Sequence, residues 1–253
     1  MSRTTTVQEL SAVEFEACWE HLQLGELPYV LDVPSAGTTW TERRQILNGV
    51  ISGLTERGLA DHRGLVPELV EALTTLAQFR WAIDARVFAD SRTRYVRGAV
   101  SGDWAALAVL ESDRVGLWPM PDHAVIGQLV ALTGDARTPR VASANIQERV
   151  LEAAASRAGA DVRALAHELV NLGERADQAR ALAHAWSEAH AMGQFTAIRC
   201  DRDGTLRRME TAVGWHTNRE GQFLHLRNNG WLTVTPGGPA QLTAQLKRLL
   251  GEQ

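Results

Sequence analysis

The chain is poor in the residues that staple, anchor or catalyse. Its 253 residues include two cysteines, Cys18 and Cys200, and a single lysine, Lys247. Two cysteines so far apart, neither in a CxxC pair, point to reduced core thiols, not to a disulfide or a thiolate zinc site. No segment approaches the roughly 20 uninterrupted apolar residues of a membrane span. The stretch from Met1 to Leu10 is polar and lacks the apolar core of a signal peptide. A cytoplasmic location without membrane insertion is therefore expected. Positive charge of the kind that grips phosphate is also scarce: 26 basic residues face 30 acidic ones, a formal net charge of −4. Nucleic-acid binders carry a basic face, so no nucleic-acid partner is expected.

The signatures of catalysis are missing too. There is no G-x-S-x-G elbow, no P-loop, no H-E-x-x-H and no strand-borne G-x-G-x-x-G. Asp201-Arg202-Asp203-Gly204 has the start of a calcium loop, but it lacks the third oxygen ligand before the glycine and the Glu at the twelfth position. It reads as a hairpin turn. His184 and His190 lie six apart on an expected helix, which puts them on different faces, unlike the i, i+4 spacing that grips one metal. Asp61-His62 sits in a loop with no nucleophile nearby. No catalytic residue, cofactor or metal is expected, and the chain is read as a non-enzyme.

What is present is a clear pattern of elements. Ser11 and Glu14 have capping-box spacing, opening a helix that carries Val13, Ala17, Cys18, Trp19 and Leu22 and ends near Gly25. Tyr29 to Val33 reads as a short strand closed by Pro34 and the Ser35-Ala36-Gly37 loop. A helix from about Thr41 to Arg57 carries Ile46, Leu47, Val50, Ile51 and Leu54, with Gly58 as its cap. Another begins near Pro67. Four short strands follow, about Arg80–Phe88, Arg94–Val100, Trp104–Leu110 and Arg114–Trp118. They form an antiparallel meander stopped by Pro119 and Pro121. A helix through Val125, Leu129 and Leu132 ends at Gly134. Helices capped by Asn145 and by Asp161, and a third over about 174–190, lead to a second meander. Its strands are about Phe195–Cys200, Thr211–Thr217, Gln222–Arg227 and Trp231–Thr235, with Asn228-Asn229-Gly230 as a strong turn. A last helix runs from about Pro239 to Leu250. The eight tryptophans are expected mostly in the core or on sheet faces, with one or two left exposed for binding.

The two meanders repeat one design. Pro119, Val125, Gln128, Leu129, Leu132 and Gly134 match Pro236, Leu242, Gln245, Leu246, Leu249 and Gly251 at one constant offset. The expected fold is α+β and pseudo-twofold symmetric: a central antiparallel β-sheet built from two meanders, flanked by two α-helical bundles. The expected organisation is a single domain over 1–253, made of two pseudo-repeats of about 1–135 and 136–253.

These segments, taken in order, resemble the EspG family of ESX (type VII) secretion-associated proteins of mycobacteria and related actinobacteria. The resemblance rests on Leu10 to Glu14 and Trp19 to Leu22, then Pro28 to Ser35. It continues through Glu42-Arg43-Arg44 and Leu54 to Leu59, and in the second half through Gly193-Gln194-Phe195, Arg202-Asp203-Gly204 and Gly230 to Pro236. It covers nearly the whole chain. It implies a cytosolic chaperone without catalytic residues, cofactor or metal. Such a chaperone binds the helical tip of the PPE partner in PE–PPE heterodimers and keeps it soluble for export. A PE–PPE-like heterodimer or another helical ESX substrate is the implied partner. The family's docking surface involves the central sheet, the loop between the second and third strands, and the C-terminal bundle. The corresponding loop is Ala89-Asp90-Ser91-Arg92-Thr93-Arg94. Trp215 and His216, on a second-half strand, are further candidates for partner contact or for the core. Two other functions stand beside this one: an enzyme of unmarked chemistry with a pocket between the halves, and a client-free regulatory homodimer favoured by exposed sheet edges.

Overall fold

The computed structural model describes residues 8–35, 37 and 39–251. Most of the polar N-terminal stretch, Ala36 of the Ser35–Gly37 loop and the two C-terminal residues lie outside the described residues, as does the side chain of Trp40.

The chain opens with a short strand, β1 (Gln8–Ser11), which turns directly into helix α1 (Ala12–His21). Ser11 caps that helix as its spacing predicts. Its Oγ accepts the Glu14 N–H at 3.2 Å, and the Glu14 carboxylate accepts the Ser11 N–H at 2.7 Å. Helix α2 (Trp40–Glu56) begins on a second box of this kind, Thr39 with Glu42. Between the two helices, the strand expected over Tyr29–Val33 is instead a single 3₁₀ turn, Tyr29–Leu31. Pro28 starts the turn, the Leu31 N–H bonds back to the Pro28 carbonyl at 2.7 Å, and no strand among the described residues supplies a ladder. Leu31 and Val33 drop into the core while Tyr29 stays in water. A two-rung hairpin, β2 (Ala60–Asp61) and β3 (Gly64–Leu65), holds the Asp61-His62 turn ahead of α3 (Pro67–Ala77).

The first meander is β4 (Trp81–Ala89), β5 (Arg92–Ser101), β6 (Trp104–Glu111) and β7 (Arg114–Pro121), closed by α4 (Val125–Ala131). Strand β7 runs through both prolines expected to stop it. The Asp122 N–H bonds to the Asp103 carbonyl at 3.1 Å, marking that pair as hydrogen-bonded. Alternation then puts Pro121 opposite Trp104, and Pro119 opposite Ala106, at positions that owe β6 no N–H.

Next come β8 (Ala144–Gln147), α5 (Glu148–Ala158), α6 (Val162–Asn171) and α7 (Ala176–Trp186). Asn145 caps nothing. It lies inside β8, and Gln147 stands at the start of α5 without a side-chain cap bond. Asp161 does cap α6, accepting from the Arg163 and Ala164 N–H groups at 2.8 and 3.2 Å. The helix expected over 174–190 is shorter, because Ser187 turns extended and leads into the second meander. That meander is β9 (Ala191–Cys200), β10 (Leu206–Asn218), β11 (Gly221–Asn228) and β12 (Trp231–Pro236), followed by α8 (Pro239–Leu249).

The chain packs into two compact units. One comprises the residues up to Arg86, Thr93–Ile126 and Ile198–Arg207; the other comprises Val87–Arg92, Gly127–Ala197 and the residues from Arg208 on. The first carries the strand run β1-β7-β6-β5-β4 and the second β8-β12-β11-β10-β9, so the connectivity is the same in both. The fold is α+β, with antiparallel meanders and packed helices. In the first unit α1 and α3 cover one sheet face through Phe15, Trp19, Leu69, Leu73 and Leu76, which meet Leu10, Ala99, Ala106, Leu110 and Leu117. In the second, α5, α6 and α7 present Leu151, Leu165, Leu169 and Leu182 to Ile146, Phe223, Leu232 and Val234. Burial of this apolar area is the main favourable term in each unit.

Candidate partner-binding site

The β4–β5 connection is tighter than the loop expected over 89–94. Ala89 ends β4 and Arg92, Thr93 and Arg94 belong to β5, which leaves Asp90 and Ser91 as a two-residue turn. Their φ angles, +52° and +61°, are both left-handed, as a hairpin of this length requires. Asp90, Ser91 and Arg92 are exposed and Ala89 is half-buried. Arg94 is not a free cation: its Nε donates to the Glu111 carboxylate at 2.7 Å, directly across the β5–β6 ladder. Next to the turn stand two aromatic residues that sequence reasoning passed over, Phe88 (39% exposed) and Tyr95 (37% exposed). Arg86 lies 5.7 Å from the Tyr95 ring centre, within cation–π range. The signal for Phe88 was available: alternation along β4 places it opposite to buried Val87.

The base of this hairpin is braced by a buried ion pair. Arg97 donates from Nε and Nη2 to the two Asp84 oxygens at 2.7 and 2.8 Å, with both side chains under a tenth exposed. The same guanidinium covers the Phe79 ring at 5.4 Å. Such a forked pair fixes the facing strands in one register.

Trp215 and His216 are in the core. They are 1% and 2% exposed, so neither presents a surface to a partner. Strand β10 alternates its side chains, but both of its faces are covered at this point, which the periodicity of one strand does not reveal. His216 instead holds the end of α7. Its Nε2 donates to the Ala185 carbonyl at 2.6 Å, since a carbonyl can only accept. The Asn218 side chain donates to the same oxygen at 2.9 Å. The Nδ1 of His216 must then carry a lone pair and accept from the Nε2–H of His225 at 2.6 Å. The His216 ring stacks on Phe223 with centroids 5.1 Å apart. Burial lowers the His216 pKa, partly offset by the bond to Ala185. Burial, with His216 and Arg227 nearby, pushes His225 down to about 3. The pair is neutral and structural, and it offers no basic group to a substrate.

The tryptophans whose side chains are described range from buried to exposed, with Trp118 and Trp186 half-buried. Trp19, Trp81 and Trp215 are buried, while Trp104 and Trp231 are more than a third exposed. His184 is exposed and bonded to Glu220 at 2.8 Å; His190 is exposed as well. Asp201 to Gly204 is the β9–β10 turn, with Gly204 at φ +84°. No helix among the described residues is long and apolar enough to cross a membrane.

The family model of the EspG family matches residues 11–248. The chain belongs to the EspG family. The fold agrees with a solved member, the Mycobacterium tuberculosis type VII secretion system chaperone EspG5 in complex with the PE25–PPE41 dimer. The two chains share 14% identity with a TM-score of 0.73, over 97% of this chain and 96% of that one. Among curated proteins none matches this chain in sequence. At 14% identity the likeness is one of fold. EspG membership therefore speaks for the fold of this chain, and its partner-facing residues must be read from its own surface.

Proposed function

We propose that this EspG-family chain is a cytosolic chaperone of type VII secretion that binds a PE–PPE-like helical substrate and keeps it soluble until export. The observation that carries the reading is the family match from residue 11 to 248, joined to the likeness of the fold to EspG5, itself seen with a PE–PPE dimer. The absence of catalytic motifs in the sequence supports a binding role without a reaction. A helical hairpin with an apolar tip aggregates when bare, and a standard-size interface is enough to cover it. The surface we assign to the contact is the β4–β5 turn with its flanks: Phe88, Ala89, Asp90, Ser91, Arg92, Thr93, Arg94 and Tyr95. Exposed aromatic and arginine side chains are the usual anchors of such interfaces. Trp215 and His216 are buried packing residues of β10 and are left out of that surface.

The test is co-expression of this chain with the PE/PPE-like pair encoded nearest to it, sized by light scattering. A stoichiometric complex, with the partner soluble only in the presence of this chain, is expected. Phe88→Ser combined with Arg92→Glu should weaken that complex by at least about tenfold, equivalent to roughly 1.4 kcal/mol. A partner that is soluble alone and forms no complex would refute the chaperone role. A complex indifferent to the double substitution would refute only the assigned surface.

A further inference from the structure

An open sheet edge invites another strand, and among the described residues β1 and β8 each have a strand partner on one side only: β7 for β1, and β12 for β8. The backbone register shows which groups point outward. The Ala12 N–H bonds to the Asp113 carbonyl at 2.7 Å, so Leu10 faces Val115 as a hydrogen-bonded pair. Glu9 and Ser11, one step to either side, then turn their N–H and C=O groups away from β7. At the other strand, the Glu148 N–H bonds to the Gly230 carbonyl at 2.9 Å. By the same alternation Ile146 is bonded to β12, and Asn145 and Gln147 point outward.

Three of these outward groups, the Glu9 carbonyl and the Ser11 and Asn145 N–H groups, are held by side chains. At β1 the Glu9 carbonyl accepts from Arg57 Nη2, and the Ser11 N–H donates to Glu14 Oε2 at 2.7 Å. Arg57 Nη1 in turn holds both Glu14 oxygens, at 2.9 and 3.0 Å. One arginine at the end of α2 thus plugs an edge acceptor and anchors the acid that plugs the next edge donor. Partial burial works against the Glu14 carboxylate, but the Ser11 backbone bond and the Arg57 guanidinium outweigh it and hold its pKa below the usual range. At β8 the Asn145 N–H donates to Gln178 Oε1 on α7 at 2.8 Å. Two different helices, α2 and α7, use unrelated residues to do the same thing at equivalent strands.

We propose that Arg57 with Glu14, and Gln178, are edge guards that close β1 and β8 to strand addition. The partner they exclude is a second copy of this chain, which brings identical edges. Sheet growth of this kind is the route to self-association that proteins must block. The wild-type chain is therefore a monomer, and its partners engage side-chain surfaces and not these backbone edges. This inference does not depend on the chaperone reading.

The experiment uses the full chain, alone, with size-exclusion light scattering over a hundredfold concentration range. Wild type is expected at its 27.7 kDa monomer mass throughout. The Arg57→Ala/Gln178→Ala variant is expected to rise toward twice that mass with concentration, gaining amide protection at Glu9 and Asn145 as it does. Arg57→Lys/Gln178→Glu keeps a donor and an acceptor in place and should stay monomeric. A double alanine variant with native circular dichroism and a constant monomer mass would overturn the proposal. So would a wild-type dimer protected at β1 or β8. Should the alanine variant fail to fold, hydrogen exchange on the wild type decides. The outward-facing Ser11 and Asn145 amides must be protected in the monomer, and exchange near the random-coil rate would sink the idea.

Discussion

The His216–His225 pair makes a quantitative claim about acid. Both rings are neutral in the folded chain, and His225 is pushed down to about 3 from an ordinary value of 6.5. A histidine that refuses its proton when folded but accepts it when unfolded favours the unfolded state as pH drops. Stability is full above about pH 6.5, falls as pH descends through that value, and levels off near 3. At about pH 5 the unfolded ring lies roughly 1.5 units below its pKa, so the folded state loses about 2 kcal/mol relative to neutral pH from His225 alone. His216, lowered by burial, adds in the same direction. A proton on His216 Nδ1 would set two donors against each other at 2.6 Å, and one on His225 would face Arg227, already paired with Glu148 at 2.7 Å. The other polar groups around the end of α7 are engaged with each other, His184 Nε2 lying 2.8 Å from a Glu220 carboxylate oxygen and Arg219 Nε 2.9 Å from Glu188. His225→Gln keeps a donor for His216 Nδ1 and removes the titration. It should cost about 1 kcal/mol at pH 7.5, while shrinking the stability difference between pH 7.5 and pH 5 by about 2 kcal/mol. Urea unfolding of both proteins at the two pH values supplies the four numbers, and carboxylates common to both cancel. An unchanged pH difference in His225→Gln, or an NMR titration of His225 near 6.5, would refute the reasoning.

Two further outcomes follow from the first unit. Asp84→Ala strands the buried Arg97 charge and should cost about 3–5 kcal/mol, while Asp84→Leu with Arg97→Met should recover most of it; chemical denaturation distinguishes the two. Gly116→Ala would set a Cβ 2.3 Å from the Trp118 ring that lies across it. The ring must move, costing about 1–3 kcal/mol, with a change in near-UV circular dichroism that Gly127→Ala, which meets nothing within 4 Å, should not produce.

Much of the fold is legible in the sequence because its signals are local. The Ser11–Glu14 box, the Asp161 cap, Pro67 at the start of α3 and Asn229-Gly230 at the β11–β12 turn each act within four residues, and each is present. The candidate turn at Asp90-Ser91 was legible as a break between strands, but its tightness was not. The ladder reaches to Ala89 and Arg92, and no propensity of those residues demands it. Tyr29 to Val33 shows the reverse error: β-leaning residues without a partner strand become a turn and an extended segment.

What the sequence by itself determined is where helices begin, where strands turn and which positions repeat between the two meanders. Capping groups, glycines and alternation specify those features at short range. What only the tertiary structure decided is what those elements meet. Strand β1 exists because Leu10 finds Val115, and β8 exists because Ile146 finds Leu232. Asn145 therefore pairs in a sheet edge instead of capping a helix, and Trp215 and His216 lie under cover instead of facing a partner. Backbone groups must be satisfied by whichever donor or acceptor the fold brings near, and for these residues that neighbour lies far away along the chain.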